Sequence, residues 1–178
     1  MKRRGKSKRR DHIGDFFAEY PEFDYDQSAE IWREFYRMCD GFGWRGRNDE
    51  KEEAKERFKS AMVLQFNDLY GTDRDDLNAW QGLCRILNIF PPPTELDECR
   101  KRVRRTHVNL VDLVDAPRTG ARVEVFTNLE ELQKYTIDTG KYFPKEDAYA
   151  GGLLKFLLRE IFGKHKGGRQ RVPDRRPG

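Results

Sequence analysis

The side chains best able to do chemistry are concentrated in the run His107-Val108-Asn109-Leu110-Val111-Asp112-Leu113-Val114-Asp115. On a helix, Asn109, Asp112 and Asp115 lie three residues apart and share one face. An amide and two carboxylates there, with His107 upstream, suit either cation binding or the positioning of a proton donor. No second carboxylate helix or motif completes such a site. The pattern therefore favours hydrogen bonding at a buried helix edge, and no residue is assigned a catalytic role.

Directly upstream stand Arg100, Lys101, Arg102, Arg104 and Arg105, the only dense basic cluster between residues 13 and 162. Lys101, Arg104 and Arg105 share a helical face, with Val108 one turn on. Such a face suits a phosphate backbone or an acidic partner. A solvated outer surface, opposite Cys99 and Val103, is the simpler reading.

Cys39, Cys84, Cys99 and His107 are numerous enough to ligate one zinc ion. No two of the cysteines form a short Cys-x-x-Cys pair. Each falls on the apolar stripe of a helix, where cysteine behaves as a small hydrophobe. No metal or cofactor is expected, and a Cys–His nucleophile has no support from spacing. Leu154-Lys155-Phe156-Leu157-Leu158 matches the short Leu-x-x-Leu-Leu docking pattern, but its wide apolar arc favours burial. Phe16, Phe17, Tyr20, Phe23 and Tyr25 are suited to base stacking. The acids interleaved with them (Asp15, Glu19, Glu22, Asp24 and Asp26) repel phosphate, so this segment reads as a strap packed on the body. Gly-rich phosphate loops, zinc-protease pairs, nucleophile elbows and kinase signatures are all missing, which argues against the common enzyme classes.

Charge is divided sharply along the chain. Lys2, Arg3, Arg4, Lys6, Lys8, Arg9 and Arg10 crowd the first twelve residues, and six further Lys/Arg lie in 163–178. The 13–162 body is left with a net charge of −7, against +4 for the whole chain. The sequence pI of about 8.9 thus describes the ends rather than the body. Segments this polar cannot offset their ordering entropy by burial, so 1–12 and 163–178 are expected to be disordered basic tails. Lys2–Arg10 resembles a basic nuclear-import signal. No apolar run reaches the ~20 residues of a membrane span, and the N-terminal charges are not followed by the apolar stretch of a secretory signal. An odd, widely spaced set of three cysteines points to a reducing compartment.

The elements that position these groups read as helices. Hydrophobic periodicity predicts an all-α, single compact bundle of six or seven helices over 13–162. A short helix precedes Pro21. A second, capped by Asp26 or Ser28, carries Ile31, Phe35, Met38, Cys39 and Phe42 on one face and ends at Gly41 and Gly43. A long amphipathic helix spans Asp49–Tyr70 and closes on Gly71 in a left-handed conformation. The next starts at Thr72 or Asp73, buries Leu77, Trp80, Cys84 and Leu87, and stops before Pro91-Pro92-Pro93. Leu96, Cys99, Val103, Thr106, Leu110 and Leu113 keep helical phase, which predicts one helix over about 95–115 behind a Thr94–Asp97 capping box. The competing reading makes Val108–Val114 a buried strand. Pro117 and Gly120 mark a loop, and Val123, Val125 and Phe126 a brief extended segment too isolated for a sheet. Thr127-Asn128-Leu129-Glu130 forms a capping box for a helix ending at Gly140. Pro144 suits the first turn of a last helix that carries Leu153, Phe156, Leu157 and Ile161 and ends near Gly163.

Several motifs resemble those of a family of uncharacterised filamentous-fungal proteins. They are Tyr20-Pro21-Glu22-Phe23-Asp24-Tyr25, Glu34-Phe35-Tyr36-Arg37-Met38-Cys39, Phe42-Gly43-Trp44, the His107–Asp115 run, and Phe143-Pro144-Lys145-Glu146. The resemblance extends over most of 15–162 and implies one domain of those limits. It implies no activity and no catalytic residues.

The reading that follows is a non-enzymatic nuclear interaction module, whose helical body binds a protein partner. Its basic tails serve import and a nonspecific attraction to nucleic acid. The alternatives are direct nucleic-acid binding through Arg100–Arg105 with the tails, and a helical enzyme or metal protein centred on His107, Asp112 and Asp115.

Overall fold

The longest amphipathic helix of the sequence becomes the centre of the fold. The computed structural model describes residues 9–145 and 149–162, with side chains as far as Leu158. Helix α3 (Asp49–Tyr70) buries Ala54, Phe58, Ala61, Met62 and Phe66 along one side. The Asn48 side chain accepts from the Lys51 N–H, and Asp49, Glu50 and Glu52 place negative charge at the positive end of the helix dipole. Gly71 closes α3 at φ 91° and ψ 166°. This is not the expected left-handed helical geometry but an extended, positive-φ one that essentially only glycine adopts.

Around α3 are α1 (His12–Ala18), α2 (Ile31–Gly41), α4 (Leu77–Ile86), α5 (Leu96–Arg104), α6 (Leu110–Thr119), α7 (Leu129–Thr139) and α8 (Gly152–Phe162). Two short strands, β1 (His107–Val108) and β2 (Val125–Phe126), complete the elements. The protein is all-α, with eight helices among the described residues rather than six or seven. Helices α1, α4 and α6 pack on α3, while α5 pairs with α4 and touches α8.

The aromatic N-terminal segment is a strap, as its interleaved acids suggest. Phe16 and Phe17 are buried, and Phe58 of α3 meets Phe16, Trp32 and Phe35 at centroid distances of 5.3, 4.9 and 4.8 Å. Each such pair adds roughly 0.5–1.5 kcal/mol beyond the area it buries. The folded body begins earlier than residue 13. Asp11 caps α1 by accepting from the Gly14 N–H, and the His12 N–H donates to Gln65 Oε1 at 2.8 Å.

Several helix limits differ from expectation, each for a local reason. Neither Asp26 nor Ser28 caps α2, because Asp26 Oδ1 is taken by the backbone N–H and hydroxyl of Ser28. The Ile31 N–H at the start of α2 donates instead to Asp115 Oδ1, 3.1 Å away on α6. Helix α4 begins at Leu77 with Asp76 as its cap, because Asp73 accepts from the Asp75 N–H and holds a turn there. It ends before the proline run. Asn88 takes φ 57°, and the Ile89 and Asn88 N–H groups return to the Cys84 and Arg85 carbonyls. Glu95 rather than Thr94 precedes α5, and its side chain makes no cap bond. The α7 capping box is shifted by one residue: Asn128 accepts from the Glu131 N–H, and Glu131 accepts from the Thr127 N–H. Pro144 is not in a helix, since α8 starts at Gly152.

The largest correction concerns 95–115, which is neither one helix nor a seven-residue strand. Helix α5 stops at Arg104, and the Thr106 hydroxyl bonds back to the Arg102 carbonyl at 3.0 Å. His107 and Val108 then pair antiparallel with Phe126 and Val125, giving the extended segment at 125–126 the partner it was expected to lack. Asn109 restarts the helix by accepting from the Val111 N–H at 2.9 Å. The apolar phase runs through because α5 and α6 both turn one face to the same core. Periodicity cannot distinguish that from a single helix.

Pro117 is inside α6 rather than in a loop. It has no N–H to give the Leu113 carbonyl one turn back. The buried Tyr70 hydroxyl supplies that donor, at 2.5 Å from the Leu113 oxygen. Burial raises the Tyr70 phenol far above its ordinary range, which keeps it a donor.

Candidate functional site: a buried lysine network beside an apolar groove

Helix α6 places Asp112 and Asp115 on one buried face, as their spacing predicts. Their partners come from three other segments. Lys141, two residues past the end of α7, sends its ammonium to Asp112 Oδ1 at 2.9 Å, Glu30 Oε1 at 2.7 Å and the Tyr135 hydroxyl at 2.9 Å. Burial works against this charge, but the bonds to Glu30, Tyr135 and Asp112 outweigh it and raise the ammonium well above its usual range. The Asn109 amide donates to the Lys141 carbonyl and to Thr136 Oγ1, both at 3.0 Å. One network thus fastens the start of α2, the length of α6 and the end of α7.

Asp115 belongs to the same cluster but is satisfied differently. Its Oδ1 accepts from the Ile31 N–H, whereas Oδ2 is buried without a hydrogen-bond partner. Burial pushes its carboxyl up to about 7, against the opposing pull of the Ile31 N–H and Lys141.

Of the polar edge expected from the sequence, the structure brings Asn109, Asp112 and Asp115 together and leaves His107 apart. His107 is on β1 and lines a different cavity of about 40 Å³ with Arg104, Leu110 and Leu157. Glu30, Tyr135 and Lys141 were not legible as site residues. Nothing in their local sequence separates them from surface charge and a helix aromatic. The one available signal was indirect: two buried carboxylates on α6 require a cation from elsewhere.

The basic cluster on α5 divides in two. Arg100 turns inward, with its side chain 14% exposed. It donates to Asp75 Oδ1 and the Arg74 carbonyl, each at 2.6 Å, and its guanidinium carbon is 5.9 Å from the Trp80 ring centroid. Lys101, Arg102, Arg104 and Arg105 are exposed on the opposite side from buried Cys99 and Val103. Of the N-terminal basic cluster, Lys2, Arg3, Arg4, Lys6 and Lys8 lie outside the described residues. Arg10 pairs with Asp15 at 2.9 Å. The 163–178 tail also lies outside them.

Cys39, Cys84 and Cys99 are free and buried. Burial, together with neighbouring Cys99, pushes the Cys84 thiol up to about 11, and burial raises the other two as well. Raised thiols are poor nucleophiles and poor metal ligands. Among the described residues, no group of three or more His, Cys, Asp or Glu is placed to hold a metal ion. None of the described helices is long and apolar enough to cross a membrane. Leu154, Leu157 and Leu158 of the docking-like pattern are buried.

On the other side of Asn109 and Lys141 lies an open groove of about 320 Å³. Val108, Leu110, Leu129 and Leu132 form its apolar floor, and Ile137, Tyr142 and Phe143 its sides. Ile137 is 67% exposed and Tyr142 53%, so two large apolar side chains stand in water at this rim. Tyr36 extends it: Tyr36 stacks on Trp32 at 5.5 Å, and the Trp32 indole donates to the Tyr142 carbonyl at 3.1 Å.

No known protein family, curated protein or solved structure matches this chain.

Proposed function

We propose that the protein is a non-enzymatic nuclear interaction module, whose helical body holds an apolar segment of a protein partner in the groove beside α7. The carrying observation is the pairing of that groove with exposed Ile137 and Tyr142 at its rim. Large side chains left in water around a concave apolar surface are the usual mark of a docking site, and aromatic anchors supply much of the energy at such sites. The groove wall is held by Asn109 and Lys141, whose bonds are buried and mutually satisfied, so the site is preformed. The basic N-terminal cluster supports the nuclear assignment, and both basic ends support a salt-sensitive attraction to nucleic acid.

Affinity capture of the tagged chain, beside Ile137→Asp and Tyr142→Asp variants and with nuclease present, tests the groove. A partner retained by the parent and lost by both variants, with thermal stability unchanged, is the expected result. Equal capture by all three would remove the groove from the account. For the import element, a fusion too large for passive entry and lacking 1–12 and 164–178 is expected to remain cytoplasmic.

A second reading has its own observation, the four exposed cations of α5. In that reading Lys101, Arg102, Arg104 and Arg105 dock a phosphate backbone together with the tails. Binding would then weaken by roughly 0.9 log units per log unit of salt for each duplex phosphate neutralised. Charge reversal at Lys101 and Arg105 would flatten that slope.

A further inference from the structure

The root of the N-terminal basic cluster is built into the body. Gln65 of α3, 7% exposed, clamps it from both sides: its Oε1 accepts from the His12 N–H at 2.8 Å, and its Nε2 donates to the Arg10 carbonyl at 3.4 Å. Arg9 and Arg10 are thereby held at an open pocket of about 340 Å³, whose other walls include Gln27 and Ser28 before α2, Leu69 of α3, and Pro117 and Arg118 of α6. Three guanidiniums therefore border one space. The acids beside them are already engaged. Asp11, the one carboxylate of the lining, accepts from the Gly14 N–H at 2.9 Å and from Arg118 at 2.8 Å, and Asp15 takes Arg10 at 2.9 Å. Arg118 is fixed further by the Gln27 carbonyl and the Tyr25 hydroxyl. Arg9 makes no ion pair among the described residues, so its charge is left over. Like charges gathered around one space repel, and an anion between them removes the repulsion.

We infer that this pocket seats a backbone phosphate of a nucleic acid. Arginine forks match phosphate oxygens bidentately, and such charge-assisted bonds are stronger than neutral ones. Leu69 and Pro117 offer an apolar surface to the sugar next to the phosphate. A polyanion is favoured over an isolated phosphate by what precedes the pocket. Lys2, Arg3, Arg4, Lys6 and Lys8 lead up to Arg9 in the chain, and a nucleic acid carries its charge on past the seat, whereas a phosphorylated side chain does not. The seat presupposes that the basic ends attract nucleic acid, and it is independent of the α7 groove.

The test is fluorescence anisotropy of a short labelled DNA duplex of mixed sequence, titrated with the full chain across a salt series. Arg9→Ala/Arg10→Ala is expected to weaken binding roughly tenfold and to lower the slope of log affinity against log salt by about 1–2. Lys2→Ala/Arg3→Ala removes the same charge away from the pocket and is expected to cost less than about threefold. Gln65→Leu leaves the net charge unchanged but releases the Arg10 backbone, and is expected to weaken binding several-fold. If it unfolds, the exposed Arg9 and Arg10 still decide the matter. In ¹⁵N NMR of the arginine side chains, the Arg118 Nε–H signal is expected to shift saturably with the duplex. Equal losses in the two double variants, parent-like binding by a folded Gln65→Leu, or an unmoved Arg118 would each overturn the seat while leaving the attraction of the basic end intact. No binding by the parent would overturn that attraction as well. Saturation of the Arg118 shift by the same concentration of inorganic phosphate, or tighter binding to phosphatidylserine vesicles through the same arginines, would overturn the nucleic-acid assignment.

Discussion

Helices α5 and α6 are neighbours in sequence, both rich in charge, and opposite in what they do with it. Outside Arg100, the α5 cations are exposed: Lys101 stands 3.6 Å from Glu98 with both side chains about half exposed, and Arg104 lies over the Phe156 ring. On α6 the charges point inward, and Asp112 meets Lys141 at 2.9 Å where both side chains are about nine-tenths buried. Charge density along the sequence is therefore a poor guide to where charge matters. A solvated ion pair is worth about 0–1 kcal/mol, whereas stranding one partner of a buried pair costs about 3–5 kcal/mol.

Breaking the inward side should have the largest effect. Lys141→Ala leaves Glu30 and Asp112 without their cation, and a loss of about 3–5 kcal/mol is expected in urea unfolding. A loss below 1 kcal/mol would place the network among ordinary surface pairs. Asp115 gives the next effect, through pH. Its carboxyl is pushed up from the ordinary 3.8 to about 7, so the folded state holds the proton more tightly than the unfolded chain. Its contribution is fully present below about pH 4 and is lost as pH rises through 7, with a ceiling of roughly 4 kcal/mol. Asp115→Asn should flatten the stability profile across that window.

Arg100→Ala, which removes the one inward member of the α5 cluster, should cost about 1–3 kcal/mol through its lost hydrogen bonds and ring contacts. The smallest effect belongs to the outward side. Lys101→Ala and Arg105→Ala should each change stability by no more than about 0.5 kcal/mol. If either matched Arg100→Ala, the division of the helix into two faces would fail.

The same contrast marks what the sequence made legible. Patterns that depend on one helix and its own ends were readable: the α3 stripe, the inward cysteines and leucines, and the helix end at Gly140. Asn109, Asp112 and Asp115 were readable as an edge because three-residue spacing fixes a face. The break between α5 and α6 was not, because it depends on β2 arriving from 125–126 to pair with His107 and Val108. Pro117 reads as a breaker until Tyr70, 43 residues distant in sequence from Leu113, supplies the missing donor. Lys141 and Glu30 are 111 residues apart, and nothing local to either foretells their bond. The groove was equally hidden, since its floor comes from β1, α6 and α7 together.

The most direct test of the inward and outward division is the titration of Asp115 by carboxyl ¹³C NMR in the parent and in Lys101→Ala/Arg105→Ala. The account predicts a midpoint near 7 in both proteins. A midpoint near 4 in the parent would mean that Asp115 is open to water, and the buried network with its unmet oxygen would not exist as described.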